Sequence, residues 1–419
     1  MLLSVLDQSP ISEGSTGAQA LHNTLDLARL TDELGYHRYW VAEHHGGPML
    51  AGPSPEVLIG PIAAATEGIR VGSGGVMLPH YSPLKVAESF TILAALFPGR
   101  IDLAQLTDAL GYHRYWVAEH HGGPMLASAS PEALIGPIAA STTGIRVGSG
   151  GVMLPHYSPF KVAETFTILS ALYPGRIDLG LGRAAGTDPL TTFALQRDRR
   201  QASPDDFPQQ LAELLGYLEQ TLPDDHPFAR LASALPGRPE LPLVWLLGSS
   251  PQSAIWAGQL GLPYAFADFI NPGGAEIAAN YRQRFEPARQ LTAPYTAVAV
   301  WVLCAPSDEE AQYLASSSRM TMTLLRRGQL IPVPPPEQAT EFLRREGAGN
   351  GRPGESVGGR RGIIGSPETV RAGLEEVRAQ YGADEVIAVT ITHDHAARKR
   401  SYELLAEAMA LDPRAVAAA

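Results

Sequence analysis

Glu43-His44-His45 recurs in this chain as Glu119-His120-His121. A histidine in such a setting exchanges a proton near neutral pH, or donates a hydrogen bond to a bound intermediate. Each triplet closes a short β-rich run, residues 39–42 and its repeat. Adjacent side chains on a strand point to opposite faces. One histidine of each pair is a candidate for chemistry, while the other packs or caps a loop. A metal centre is the competing reading of paired histidines. No second cluster has recognisable ligand spacing, and His393-Asp394-His395 stands isolated. No metal is expected.

Three glycine-rich or serine-rich segments also carry chemistry. Gly72-Ser73-Gly74-Gly75, repeated as Gly148-Ser149-Gly150-Gly151, lies inside a predicted strand. Glycines weaken a strand interior, so close approach of a flat ligand, an unusual peptide geometry or a simple bulge must account for them. Gly180-Leu181-Gly182-Arg183 imitates a dinucleotide fingerprint, but Thr187-Asp188-Pro189 follows and no helix clearly opens there. Arg183, just past a strand end, can hold a phosphate or point to solvent. Gly248-Ser249-Ser250-Pro251-Gln252-Ser253 follows Leu247 and joins a strand to a helix. Helix N–H groups and three serine hydroxyls make an anion cradle there; ordinary capping explains one serine and not three.

These groups must be positioned by alternating strands and helices. Runs 3–6, 39–42, 69–78, 176–181, 243–247, 263–269, 297–304 and 386–392 read as strands. Helical patterns fill residues 17–35, 54–66, 82–96, 206–221 and 401–409, and others open at 253 and 366. Eight strands alternating mostly with helices predict an α/β fold with a parallel sheet, closed as a (β/α)8 TIM barrel or open and doubly wound. The composition of residues 347–362 predicts a flexible loop, a lid or a surface excursion.

The chain repeats itself. Residues 27–102 return as residues 103–178 at a constant offset of 76, with 11 substitutions. Subtracting one copy from 419 residues leaves 343, the size of one large barrel domain. The formal charge of −11 argues against nucleic acid or an anionic membrane as the main partner. Cys304 is the single cysteine, which excludes an intrachain disulfide and fits a reducing cytoplasm. No signal peptide is expected, because Asp7 interrupts the first apolar run and no basic stretch precedes it. No run has the apolar length of a membrane span.

Taken in order, LSVLDQSP, YWVAEHH, GIRVGSGGVMLPHYSPLKVAE, PGRIDLGLGRAAGTDP, PLVWLLGSSPQSAIWAGQLGLPYAFADF and GIIGSPETVRAGLEEV resemble the bacterial-luciferase-like flavin monooxygenases. The resemblance covers nearly the whole chain once one copy is removed. It implies a single (β/α)8 barrel domain over residues 1–419, with one copy outside the regular barrel, in a homodimer. It implies reduced FMN as co-substrate, supplied by a flavin reductase, activating O2 to oxidise a small-molecule substrate. Some relatives use the deazaflavin F420 for hydride transfer instead. The resemblance further assigns the flavin phosphate to Arg183, Ser250 and Ser253, within the segment that also holds Leu247 and Ser249. It places Gly74 and Gly75, or Gly150 and Gly151, in a bulged segment under the isoalloxazine ring that often holds a non-prolyl cis peptide. His44 or His120 then assists proton transfer. A second phosphate-binding arginine falls among Arg197, Arg199 and Arg200. Gly182 stands where some members carry a reactive cysteine, so thiol chemistry is not expected. An F420-dependent dehydrogenase, or a flavin-binding relative inactivated by the duplication, are the alternative activities.

The duplication ignores structural boundaries. At Leu103 the beginning of one predicted strand runs into the second half of a helix. A barrel takes one copy of the second and third strands: copy 1, copy 2, or a hybrid switching before the third strand. Loop closure grows only logarithmically with length, so the three differ little. The remaining copy is expected to expose apolar surface or sheet edges, unless it packs on another surface, swaps or stays partly disordered.

Overall fold

A computed structural model describes residues 4–45, 49–74, 82–96, 102–121, 128–183, 189–195, 206–346 and 362–411. The expected loop at 347–362, apart from Gly362, lies outside the described residues, as do Gly75, Arg197, Arg199 and Arg200. Two compact units divide the chain. One holds Met1–Gln105, His113–Gly122 and Ala127–Leu243; the other holds Leu106–Tyr112, Gly123–Leu126 and Val244–Ala419.

In the first unit both copies form the same strand pair. Strands β1 (Ser4–Asp7), β2 (Arg38–Val41) and β3 (Arg70–Ser73) make a three-stranded parallel sheet in the order β1-β2-β3. Strands β4 (Arg114–Val117) and β5 (Arg146–Met153) belong to copy 2, and β6 (Ile177–Gly182) follows them. Arg38 pairs with Arg70 in copy 1 and Arg114 with Arg146 in copy 2, an identical register. The turn before each pair needs a left-handed residue, and Gly35 (φ +76°) and Gly111 (φ +82°) supply it.

The helix Gly17–Glu33 is capped by Thr16, which accepts from the Gln19 N–H at 3.1 Å. The helices Pro55–Ala64 and Pro131–Ala140 open as their Ser-Pro-Glu sequences predict, with proline in the first turn and an acid beside it. Their serines do not cap them. The Ser54 hydroxyl lies 3.1 Å from that of Thr165, and the Ser130 hydroxyl 2.7 Å from that of Ser89. A packing partner has taken the hydroxyl that capping would use. The helices Pro83–Leu96 and Pro159–Leu172 provide those partners.

The strands divide between the copies in a way none of the three sequence placements describes. β1 stays with copy 1, while β6 pairs with β5 of copy 2. The reason is visible at the junctions. Asp178-Leu179 continues into Gly-Leu-Gly and forms β6. Asp102-Leu103 is the same dipeptide, but Ala-Gln-Leu-Thr-Asp follows and the chain enters the helix Asp102–Ala109. Copy 1 therefore has no strand equivalent to β6 among the described residues. Its sheet leaves Leu6 60% and Trp40 36% exposed, side by side in register.

In the second unit β7 (Leu243–Gly248), β8 (Tyr264–Ala267) and β9 (Thr296–Cys304) run parallel. β10 (Gly362–Gly365) and β11 (Glu385–Val389) both pair with β9, at its C-terminal and N-terminal halves respectively. Trp301, Leu303, Ala311, Ala315, Met322 and Ile364 form its core. β10 and the long helix Asp308–Arg326 were not legible in the alternation pattern. The helix carries eleven polar or charged residues among its buried and exposed positions alike, so its apolar stripe is thin.

Candidate active site

The glycines of β5 are accounted for by the neighbouring strand. A Cβ at Gly148 would lie 2.5 Å from the Asp178 carbonyl oxygen, and one at Gly151 would lie 2.8 Å from that of Gly180. The pairing with β6 shifts register between Ser149 and Val152, which is the bulge the sequence suggested. The Gly150–Gly151 peptide is cis. Ser149 donates its hydroxyl to the Gly180 carbonyl at 2.9 Å and ties the bulge to β6. In copy 1, Gly74 is described and donates its N–H to the Val41 carbonyl; Gly75 lies outside the described residues.

His120 follows β4 and is half-buried; its N–H donates to the Ser128 carbonyl at 3.1 Å. His44 follows β2 and donates likewise to Gly52. The next histidine in each copy is held between two carboxylates. His121 lies between Glu119 and Glu88, 2.8 Å from each. His45 lies between Glu43 and Glu164, again 2.8 Å from each.

Glu119 is the hub beneath β5. It accepts the Met153 N–H at 2.8 Å, the Tyr157 hydroxyl at 2.7 Å and the Lys85 ammonium at 3.1 Å. Burial opposes its ionisation, but Lys85, His121 and Tyr157 outweigh burial and hold its carboxyl well below the usual carboxylate range. Of these residues Lys85, Glu88 and Tyr157 were not singled out in the sequence. Their signal was present: Lys85 and Glu88 interrupt an otherwise apolar helix one turn apart. Asp178 is a second buried acid, held by Arg114 at 2.9 Å, Arg146 at 2.5 Å and the Trp116 indole at 3.0 Å.

The histidine pairs give the fold a pH dependence. Burial disfavours the His45 cation, but Glu164 and Glu43 outweigh it and raise its pKa to about 9. A pKa raised on folding gives stability that is complete below the unfolded value of about 6.5 and is lost as pH rises through about 9. His121 is raised for the same reasons. The melting temperature is expected to fall between pH 7 and pH 9.5, and His45→Gln to flatten that fall. A Tm that holds steady or climbs over this range would contradict the assignment.

Arg183 is exposed just past β6. In the second unit, Leu247 and Ser249 lie at the end of β7, and Ser250 is the N-cap residue of the helix Pro251–Gln259. The Ser250 side chain is exposed and makes no cap hydrogen bond to the first turn of this helix. Ser253 is turned inward: its hydroxyl donates to the Ser250 carbonyl at 2.9 Å and lies 3.0 Å from that of Tyr264. Among the described residues no group of three His, Cys, Asp or Glu is arranged to hold a metal. Asp394 caps the helix His395–Ala408 by accepting from Ala396 and Ala397. Cys304 is buried, and burial pushes its thiol up to about 11. No helix among the described residues is long and apolar enough to cross a membrane.

The parallel α/β architecture and this order of segments define the luciferase-like barrel class. The family profile described as "Luciferase-like monooxygenase" matches residues 1–104 and again residues 101–385, and the chain belongs to that family. The chain is 41% identical over 313 residues to a luciferase-like monooxygenase of Escherichia coli, covering 74% of this chain and 90% of that protein. It is 38% identical over 316 residues to the N-acetyl-S-alkylcysteine monooxygenase of Bacillus subtilis, covering 74% and 91%. The solved structure of apo-MsnO8 superposes with a TM-score of 0.58 at 35% identity, covering 99% of each chain.

Proposed function

We propose that this chain is a flavin-dependent monooxygenase that uses reduced FMN and O2 to oxidise a small organic substrate. The observation that carries the reading is the helix end at Ser250. Its exposed serine leaves the first-turn N–H groups uncapped, a cradle whose chemistry suits the dianionic phosphate of FMN. Relatives named as monooxygenases at 38–41% identity support the same reading. Reduced FMN supplies the electrons that activate O2. The residues of this chain bind and orient it. Ser249, Ser250 and the helix N–H groups take the phosphate, with Ser253 fixing the Ser250 backbone through its own hydrogen bond. On copy 2 the reading assigns the Gly150–Gly151 segment to the ring system and proton transfer to His120.

The reading places the working site on copy 2, because β4 and β5 are the copies that continue into β6. Copy 1, with β1, lies outside the regular barrel. The partners of this reading are O2, the organic substrate and a reductase that delivers reduced flavin, in the cytoplasm.

Ser250→Asp is expected to weaken FMN binding at least about tenfold, since it sets like charge against the phosphate where the hydroxyl stood. Fluorescence titration of FMN measures it, and oxygen uptake with a reductase measures turnover. No binding of FMN, reduced FMN or F420 at micromolar concentration defeats the flavin reading. Binding of F420 in place of FMN moves the activity to hydride transfer, and flavin binding without substrate-dependent oxygen uptake marks an inactive relative.

A further inference from the structure

The contacts between the two copies are exchanged in pairs. His45 of copy 1 meets Glu164 of copy 2, and His121 of copy 2 meets Glu88 of copy 1, both at 2.8 Å. Lys85 reaches Glu132 at 3.3 Å, and Lys161 reaches Glu56 at 3.4 Å. Lys85 donates to the Ala129 carbonyl and Lys161 to that of Pro53, each at 2.5 Å. Ser54 meets Thr165 and Ser130 meets Ser89. A Cβ at Gly60 would lie 2.5 Å from Pro137, and one at Gly136 would lie 2.9 Å from Pro61, so the two buried helices touch through matching glycine–proline steps. In every case the second contact is the first with 76 added to one partner and subtracted from the other.

Packing between unrelated surfaces has no reason to return each contact in this way. Residue i on j with j on i is the mark of an isologous two-fold interface, in which one surface meets an identical one. The cavity between the copies shows the same symmetry. Its lining pairs Lys85 with Lys161, Glu56 with Glu132 and Ser89 with Thr165. The face is also unsuited to water. Lys85, Lys161, Glu43, Glu119, Glu56 and Glu132 are buried on it; Lys85 meets Glu119 and Glu132, and Lys161 meets Glu43 and Glu56, each from the opposite copy, while Glu43 and Glu119 also pair with the histidine two residues on in their own copy.

We propose that copy 1 occupies, within one chain, the place a second copy of this chain would take, so that the duplication has closed an isologous interface inside the molecule. The partner this surface fits is therefore its own sequence, and the chain already carries it. The displaced copy is not idle sequence on this account. It covers a face that a single copy would present to another subunit, and its own sheet remains exposed as the cost of being half a barrel.

Cysteine pairs in the full chain test this. Ser89→Cys with Ser130→Cys reports one side of the two-fold, and Ser54→Cys with Thr165→Cys reports the other. Cys304 is buried and is the only native thiol. After mild oxidation each variant is expected to lose two free thiols per chain, run as a monomer on a non-reducing gel, and yield a peptide joining the two positions within one chain. Covalent dimers would overturn the proposal, because the contact would then lie between chains. Thiols that stay reduced in both folded variants overturn it as well. One folded variant closing while the other, also folded, stays reduced overturns the two-fold symmetry.

Discussion

His120→Ala is expected to lower kcat by about 10²- to 10⁴-fold, the usual loss when a positioned proton-transfer group is removed. His44→Ala is expected to leave kcat within about twofold of the parent, a difference well under 1 kcal/mol in barrier. The two histidines have the same sequence context over the residues around them, so sequence gives no reason to separate them. The structure does. His120 follows β4, which pairs with β5, whose bulge joins β6; His44 follows β2, whose sheet stops at β3 among the described residues. A site built on copy 2 has the bulge, the following strand and Arg183 in one continuous run of backbone. Stopped-flow or steady-state oxygen uptake of the two variants decides it. Equal partial losses would show a mixed population in which both copies work, and a loss confined to His44→Ala would move the site to copy 1.

The second large effect is on stability. Glu119→Ala is expected to cost about 3–5 kcal/mol, the range for breaking a buried charge pair by deleting one partner. Lys85 and His121 would be left buried against a methyl group, and the Met153 N–H and Tyr157 hydroxyl would lose their acceptor. Glu43→Ala, the equivalent change in copy 1, is expected to cost less, because its contact with Lys161 is 3.9 Å rather than 3.1 Å. Urea unfolding of both variants measures the difference. A loss below about 1 kcal/mol for Glu119→Ala would mean that the hub is satisfied some other way. Glu119→Gln keeps an acceptor for Met153 while removing the charge, and should fall between parent and alanine.

Much of the local structure was legible because it depends on neighbours in sequence. The strand starts at Arg38 and Arg114, the left-handed turns at Gly35 and Gly111, and the proline-opened helices follow from residues within a few positions. The bulge at Gly150-Gly151 was legible for a related reason: four residues with three glycines do not belong in a strand unless something approaches them. The something proved to be the carbonyls of Asp178 and Gly180, at least in part. The serine cradle was legible as a segment, but not the division of labour within it. Ser253 faces inward because Gly248 leaves space for its hydroxyl; a Cβ at Gly248 would lie 2.3 Å from that oxygen. Which serine faces out depends on that packing and not on the spacing.

The sequence by itself determined the family, the alternation of strands and helices, the duplication and its offset, and the short list of residues able to do chemistry. Those follow from residue type and local order, which a single chain displays in full. Only the tertiary structure decided what each copy does. The dipeptide Asp-Leu starts a helix at Asp102 and sits in a strand at Asp178, and identical histidines follow strands of different sheets. Lys85 and Glu88, which break the apolar run of their helix, pair with Glu119 and His121 of the other copy. Two copies of one sequence have the same local preferences, so the choice between them falls to contacts far apart in the chain. Those contacts are reciprocal because the surfaces that meet are the same surface.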